Sequence, residues 1–210
     1  MLDNLEDITA KIRQDFSAKD AARERALPLC REVIRHSGNA IRAIHRQQFD
    51  QAAELLQEVG KLAQEAGQSI AEGSELRNTG FLRDAQKEYA EGSITLALIK
   101  GEQLPHPDKL GVDYAAYLNG MGEAVGELRR YMLDGLRRGD LSRGEELLQA
   151  MDDIYITLVT IDFPDAITGG LRRTTDMVRG VLERTRSDLT LTLQQKELEA
   201  KLDSFRGKIQ

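Results

Sequence analysis

Apolar residues recur at three- and four-residue intervals along almost the whole chain, and that spacing predicts helices throughout. Leu2, Leu5, Ile8, Ile12 and Phe16 mark a first amphipathic helix over 2–17. A second, over 19–48, carries the stripe Cys30, Ile34, Ser37, Ile41 and Ile44, with Pro28 expected to kink it or open its second half. A third, over 50–71, points Ala53, Leu56, Val59, Leu62 and Ala63 inward. Ala71-Glu72-Gly73-Ser74 and Asn78-Thr79-Gly80 then bracket a loop. The fourth helix reads from Asp84 to Lys100, before the break that starts at Gly101 and contains Pro105 and Pro107. Its second half is apolar on nearly every side. Ile94, Leu96, Ala97, Leu98 and Ile99 cannot share one face at about 100° per residue, so neighbours must cover this helix from several directions.

The fifth helix, over 113–138, sets Tyr114, Leu118, Met121, Val125, Leu128 and Met132 on one face. It also contains Gly120, Gly122 and Gly126, each costing up to about 1 kcal/mol relative to alanine, so another backbone or a ligand should approach closely there. A sixth helix spans 141–162 and a seventh 165–205, the last carrying Leu171, Val178, Leu182, Leu189 and Leu193. Unbroken, the seventh would reach roughly 60 Å. That exceeds what a domain of this size needs, so its far end should pack on another subunit. The pattern gives a single all-α domain over 1–210, with no internal repeat.

Composition narrows the class. The chain lacks Trp, has four Pro in 210 residues and carries a net charge of −6, so no global basic field draws it to nucleic acid. Any polyanion would meet a local patch. Twenty of the 29 cationic residues are Arg, which suits phosphate forks. One cysteine, Cys30, excludes an internal disulfide and reads as a buried, inert thiol. Asp3, Glu6 and Asp7 are wrong for a signal peptide, and no apolar run approaches a membrane span. A soluble cytoplasmic protein is the expectation.

Candidate chemistry lies on the fourth and fifth helices. Glu88 and Glu91 stand at i and i+3 on one side, and Glu91 lines up with Ile94 and Leu98, which should be buried. A carboxylate driven toward a core must be paired, hydrogen-bonded or bound to a metal. Glu123 and Glu127 stand at i and i+4, nearly opposite the apolar face of their helix. If the two helices are antiparallel neighbours, four carboxylates converge and repel unless protonated or held by a cation. Oxygen ligands favour Mg2+, with Mn2+ second. Glu-x-x-His pairs of a di-iron site are absent, and His36, His45 and His106 are expected at the surface or in loops. Such a site suits hydrolysis of a phosphate ester. Glutamate pairs also decorate ordinary solvated helices, so spacing alone does not assign a site.

A second feature is a row of arginines. Arg31, Arg35, Arg42 and Arg46 fall within a band of about 60° on the second helix, with few acids beside them. The row is either a solvated face or a track for a phosphate backbone.

Particular motifs go further. Gln86-Lys87-Glu88-Tyr89-Ala90-Glu91 resembles the Q-E-Y-V-E-A segment of Trax, with one residue inserted after Gln. Val112-Asp113-Tyr114, followed by Tyr117 through Leu128, resembles the D-Y-L-x-G-V-x-D-x-x-G-E-L stretch of the same superfamily. Gly139-Asp140-Leu141-Ser142-Arg143 is similar to translin's G-D-Y-S-R turn, and Leu171-Arg172-Arg173 opens a long helix like the family's last. The chain thus resembles the translin/Trax superfamily over about 80–195, on the Trax side and like an archaeal single-paralogue form.

The resemblance implies a seven-helix fold, a closed oligomer such as an octamer, and binding of single-stranded RNA or DNA. It also implies a Mg2+-dependent endoribonuclease whose acidic positions fall on Glu88, Glu91, Glu123 and Glu127. Trax has Asp where this chain has Glu123, a side chain one carbon longer. Two other functions remain open: a non-catalytic translin-like shell, and an all-helical nucleoside triphosphate pyrophosphohydrolase of the MazG type.

Overall fold

The computed structural model describes residues 4–71 and 74–206, and every regular element among them is helical. Leu2 and Asp3 at the predicted helical start, and Glu72-Gly73 in the predicted loop, lie outside the described residues. The two helices predicted before residue 48 are one. Helix α1 (Leu5–His45) runs 41 residues, with Pro28 inside it. Nothing between Phe16 and Asp20 favours a break, and Lys19 pairs with Asp15 one turn back at 2.9 Å. Residues on both sides of Pro28 stay helical, so it neither ends α1 nor opens its second half.

Helix α2 (Phe49–Gln68) folds back on α1, burying Ala52 rather than Ala53 beside Leu56, Val59 and Ala63. After a single 3-10 turn (Glu75–Asn78), α3 (Gly80–Lys100) crosses the centre, four residues longer at its start than predicted. It packs against α1 and α2 on one side and α5 (Tyr114–Arg137) on the other, after the one-turn α4 (Pro107–Leu110). Tyr89, Ala90, Glu91, Gly92, Ile94, Thr95, Leu96, Ala97 and Ile99 are all buried, as the all-round apolar pattern requires. Tyr114, predicted inward, is 62% exposed because the first residue of α5 reaches back to Asp108, 3.0 Å from its hydroxyl.

The Gly139–Arg143 turn precedes α6 (Gly144–Val159) instead of belonging to it. Gly139 has φ +78°, and Asp140 Oδ1 accepts from the Ser142 amide at 2.9 Å. Arg143 then reaches across to the end of α3, where its guanidinium donates to the carbonyls of Ile99 and Leu98 and pairs with Glu146. A helix end left without such donors has orphan carbonyls. The predicted rod over 165–205 is also divided. One-turn α7 (Asp165–Thr168) is separated from α8 (Leu171–Arg206) by Gly169 and Gly170, with φ of +62° and +86°.

Beyond Leu189, α8 buries no residue, and Leu193 is exposed along with Leu198, Leu202 and Phe205. The first turns of α1 likewise expose Leu5, Ile8, Ile12 and Phe16. Among the described residues, both helix ends therefore leave apolar rows exposed. Cys30 is buried, and burial pushes its thiol up to about 11, as an inert cysteine requires. No helix among the described residues is long and apolar enough to cross a membrane.

Candidate metal site and its surroundings

Gly120 sets how near α3 and α5 come. A methyl group there would sit 2.6 Å from the Lys87 carbonyl oxygen and 3.0 Å from the Glu91 amide nitrogen. Only a residue without a side chain permits this approach. Gly122 is similarly filled, by Thr174 and Leu158, whereas nothing lies within 4 Å of where a side chain at Gly126 would start. Gly120 therefore meets the expectation of a close backbone, Gly122 is crowded by side chains instead, and Gly126 has neither.

The approach brings the acids together. One carboxylate oxygen from each of Glu88, Glu91 and Glu123 lies within 4.8 Å of the others. Among the described residues, no other three His, Cys, Asp or Glu side chains gather in this way. Glu127 shares the same hollow of about 480 Å³ but stands apart from that cluster. Its Oε2 lies 2.5 Å from Nε2 of His45. Glu123 is engaged too, with Lys87 Nζ 2.7 Å from its Oε1.

Electrostatics follow from burial. Glu91 is 8% exposed; burial first, then the charges of Glu88, Glu123 and Glu127, push its carboxyl up to about 8. Glu88 is raised for the same reasons, with burial leading and Glu123 next. Carboxylates that resist ionising together fit a divalent cation, which favours their charged form. Glu88, Glu91 and Glu123 are the residues that could hold one.

Of the predicted arginine row, only Arg42 lines the carboxylate hollow, where its guanidinium also bonds Asn39 Oδ1 at 2.5 Å. Arg31, Arg35 and Arg46 are exposed, and Arg35 pairs with Glu32, so the face is less free of acids than its spacing suggested. His106 is exposed in a loop as expected, and His36 is half-buried between Glu32 and Glu58. His45 departs from expectation: its side chain is 6% exposed and inside the site. The signal was present, because His45 follows buried Ile41 by one turn and Ile44 by one residue. For Lys87 the only hint was its place one turn before Glu91.

The larger cleft elsewhere, about 700 Å³ between the end of α6 and α8, is bordered by Phe163 and Leu171 and gathers no such cluster.

These features define an all-helical protein with a cluster of glutamates on its two central, closely approaching helices. Known proteins share the fold. The chain is 30% identical over 187 residues to the uncharacterized protein MJ0175 of Methanocaldococcus jannaschii, covering 88% of this chain and 82% of that protein. Among solved structures, AfC3PO superposes with a TM-score of 0.81 at 33% identity, over 89% of this chain and 97% of that one. AfC3PO in complex with duplex RNA gives 0.80 at 32%, over the same shares. The fold alone is shared with apo-NeC3PO, at TM-score 0.76 and 21% identity over 91% and 98%. No model of a known protein family matches the chain. C3PO is the translin/Trax complex, and this chain belongs to the translin/Trax superfamily.

Proposed function

We propose that the protein is a Mg2+-dependent endoribonuclease that cleaves single-stranded RNA within a homo-oligomeric shell, an octamer, in the cytoplasm. The observation that carries this reading is the gathering of Glu88, Glu91 and Glu123 within 4.8 Å, in a chain 32% identical to AfC3PO as seen with duplex RNA. In this reading Glu88, Glu91 and Glu123 hold the ion. When bound, Mg2+, or Mn2+ in its place, polarises a phosphoryl oxygen and acidifies a water. Glu127, steadied by His45 and outside the tight cluster, orients the attacking water and takes its proton. Lys87 holds Glu123 in place. Arg31, Arg35, Arg42 and Arg46 carry the backbone of the strand, with Arg42 nearest the carboxylates. Phosphate contacts make such binding tolerant of sequence, open to single-stranded DNA, and weaker in salt.

The test is cleavage of a short unstructured RNA with Mg2+ by the parent protein and by Glu127→Gln. The variant should lose at least about a hundredfold in rate, on the scale of a missing acid–base group. Equal rates would remove the assigned site.

One observation favours a second reading. Lys87 and His45 already engage two of the four glutamates from within the chain. A non-catalytic shell for single-stranded nucleic acid would need no more. Tight strand binding without turnover in any divalent metal would select it.

A further inference from the structure

Beside the carboxylate hollow lies a second one of about 440 Å³, and Glu123 and Met177 belong to the walls of both. Its character is opposite. Arg83 and Lys87, one turn apart on α3, line it together with Arg173 from the first turn of α8. Its two acids are Asp84 and Glu123, the latter already held by Lys87. Among the described residues, neither Arg83 nor Arg173 has a carboxylate within 4.0 Å.

The frame around these cations is built. Arg83 lies along Gly169, where a methyl group would meet its Nη1 at 3.2 Å and its Cδ at 3.3 Å, while beside Gly170 the space is open. Asn119, buried on α5, donates to the Thr168 carbonyl at 2.8 Å and accepts from the Thr174 hydroxyl at 2.6 Å. Both ends of the Gly169-Gly170 turn are thereby tied to the helix that carries Glu123. The start of α8 adds the positive end of its dipole.

We propose that this hollow binds a backbone phosphate of the RNA strand, adjoining the phosphodiester presented to the carboxylates. The inference rests on the nucleic-acid reading above and names the subsite that reading lacks. Four glutamates repel a polyanion, so a strand drawn to them needs cations close by. The exposed arginines of α1 supply Arg42 to the carboxylate hollow; this second hollow supplies Arg83, Arg173 and Lys87 across the shared wall. Guanidinium forks match phosphate oxygens in pairs.

The experiment measures binding of a labelled twelve-nucleotide single-stranded RNA in EDTA over a series of KCl concentrations. Each lost phosphate contact should flatten the plot of log affinity against log salt by about 0.7. Arg83→Gln and Arg173→Gln should each do so, and Arg83→Lys should restore most of the slope. Unchanged slopes in both glutamine variants overturn the subsite, and the nuclease reading stands if the parent still cleaves RNA with Mg2+. Flattened slopes with no cleavage by the parent in any divalent metal uphold the subsite and overturn the nuclease. A parent that binds no RNA at any salt overturns both. Circular dichroism and solution mass check each variant, and exposed Arg173 carries the test if Arg83→Gln does not fold.

Discussion

Nε2 of His45 lies 2.5 Å from Oε2 of Glu127, joining the last turn of α1 to α5 across 82 positions of sequence. The contact fixes where the Glu127 carboxylate points, since the ring is buried and cannot follow another partner. Replacing such an orienting group typically costs 10–100-fold in metal affinity or activity. His45→Ala should slow RNA cleavage at saturating Mg2+ within that range, with the Mg2+ half-saturation point little moved. An unchanged rate would show that Glu127 needs no support from α1.

Glu91 predicts a pH dependence with a definite sign. Its carboxyl is raised in the fold to about 8, chiefly by burial, from an ordinary value of 4.5. Between those values the folded protein keeps a proton that the unfolded chain has lost. Stability of the metal-free protein therefore falls as pH rises from about 4.5 toward 8, by at most about 1.4 kcal/mol per pH unit. Urea denaturation in EDTA should show that slope, and Glu91→Gln should flatten it. A parent profile level from pH 5 to 8 would contradict the assignment.

The same shift links metal to protons. A cation favours the ionised carboxylate, so loading the site at pH 7 should release about one proton. Calorimetry in two buffers of different ionisation enthalpy reads this directly, and no buffer dependence would argue against Glu91 as a ligand.

Two glycines on one helix should answer oppositely to alanine. Gly120→Ala pushes a methyl group into the backbone of α3 and should destabilise by about 1–3 kcal/mol, as overpacking does. Gly126→Ala meets nothing within 4 Å and should gain up to about 1 kcal/mol of helix propensity. Melting temperatures of the two variants should move in opposite directions.

Arg143 closes the end of α3 through the carbonyls of Leu98 and Ile99. Arg143→Ala leaves the Ile99 carbonyl half-buried and unpaired, while the Leu98 carbonyl keeps the Gly101 amide at 3.2 Å, and should cost about 1–3 kcal/mol in urea denaturation. A loss no larger than for exposed Arg137→Ala would show that the clamp contributes nothing.

Helix periodicity made most of the fold legible in advance, including the buried, all-round apolar second half of α3. Periodicity reports faces, though, and is weak on continuity: it divided α1 at a polar stretch that no residue breaks, and it joined α7 to α8 across two glycines. The acidic quartet was readable from spacing and motif because Glu91 lies in register with Ile94 and Leu98. What escaped were the partners. His45 was overlooked although it follows Ile41 on the buried face, and the Lys87–Glu123 pair depends on a helix crossing that no local pattern encodes. For the Arg83–Arg173 juxtaposition the same holds, since it exists only once α8 turns in at Gly169.

Lys87 both bonds Glu123 and lines the cationic hollow, so in the proposed reading the two cavities would not act independently. A phosphate drawing on the Lys87 ammonium would release Glu123 toward a cation, and a cation on Glu123 would release Lys87 toward the phosphate. Cofactor and strand would then be co-ligands on a closed thermodynamic cycle, each tightening the other by one common ratio, whichever is added first.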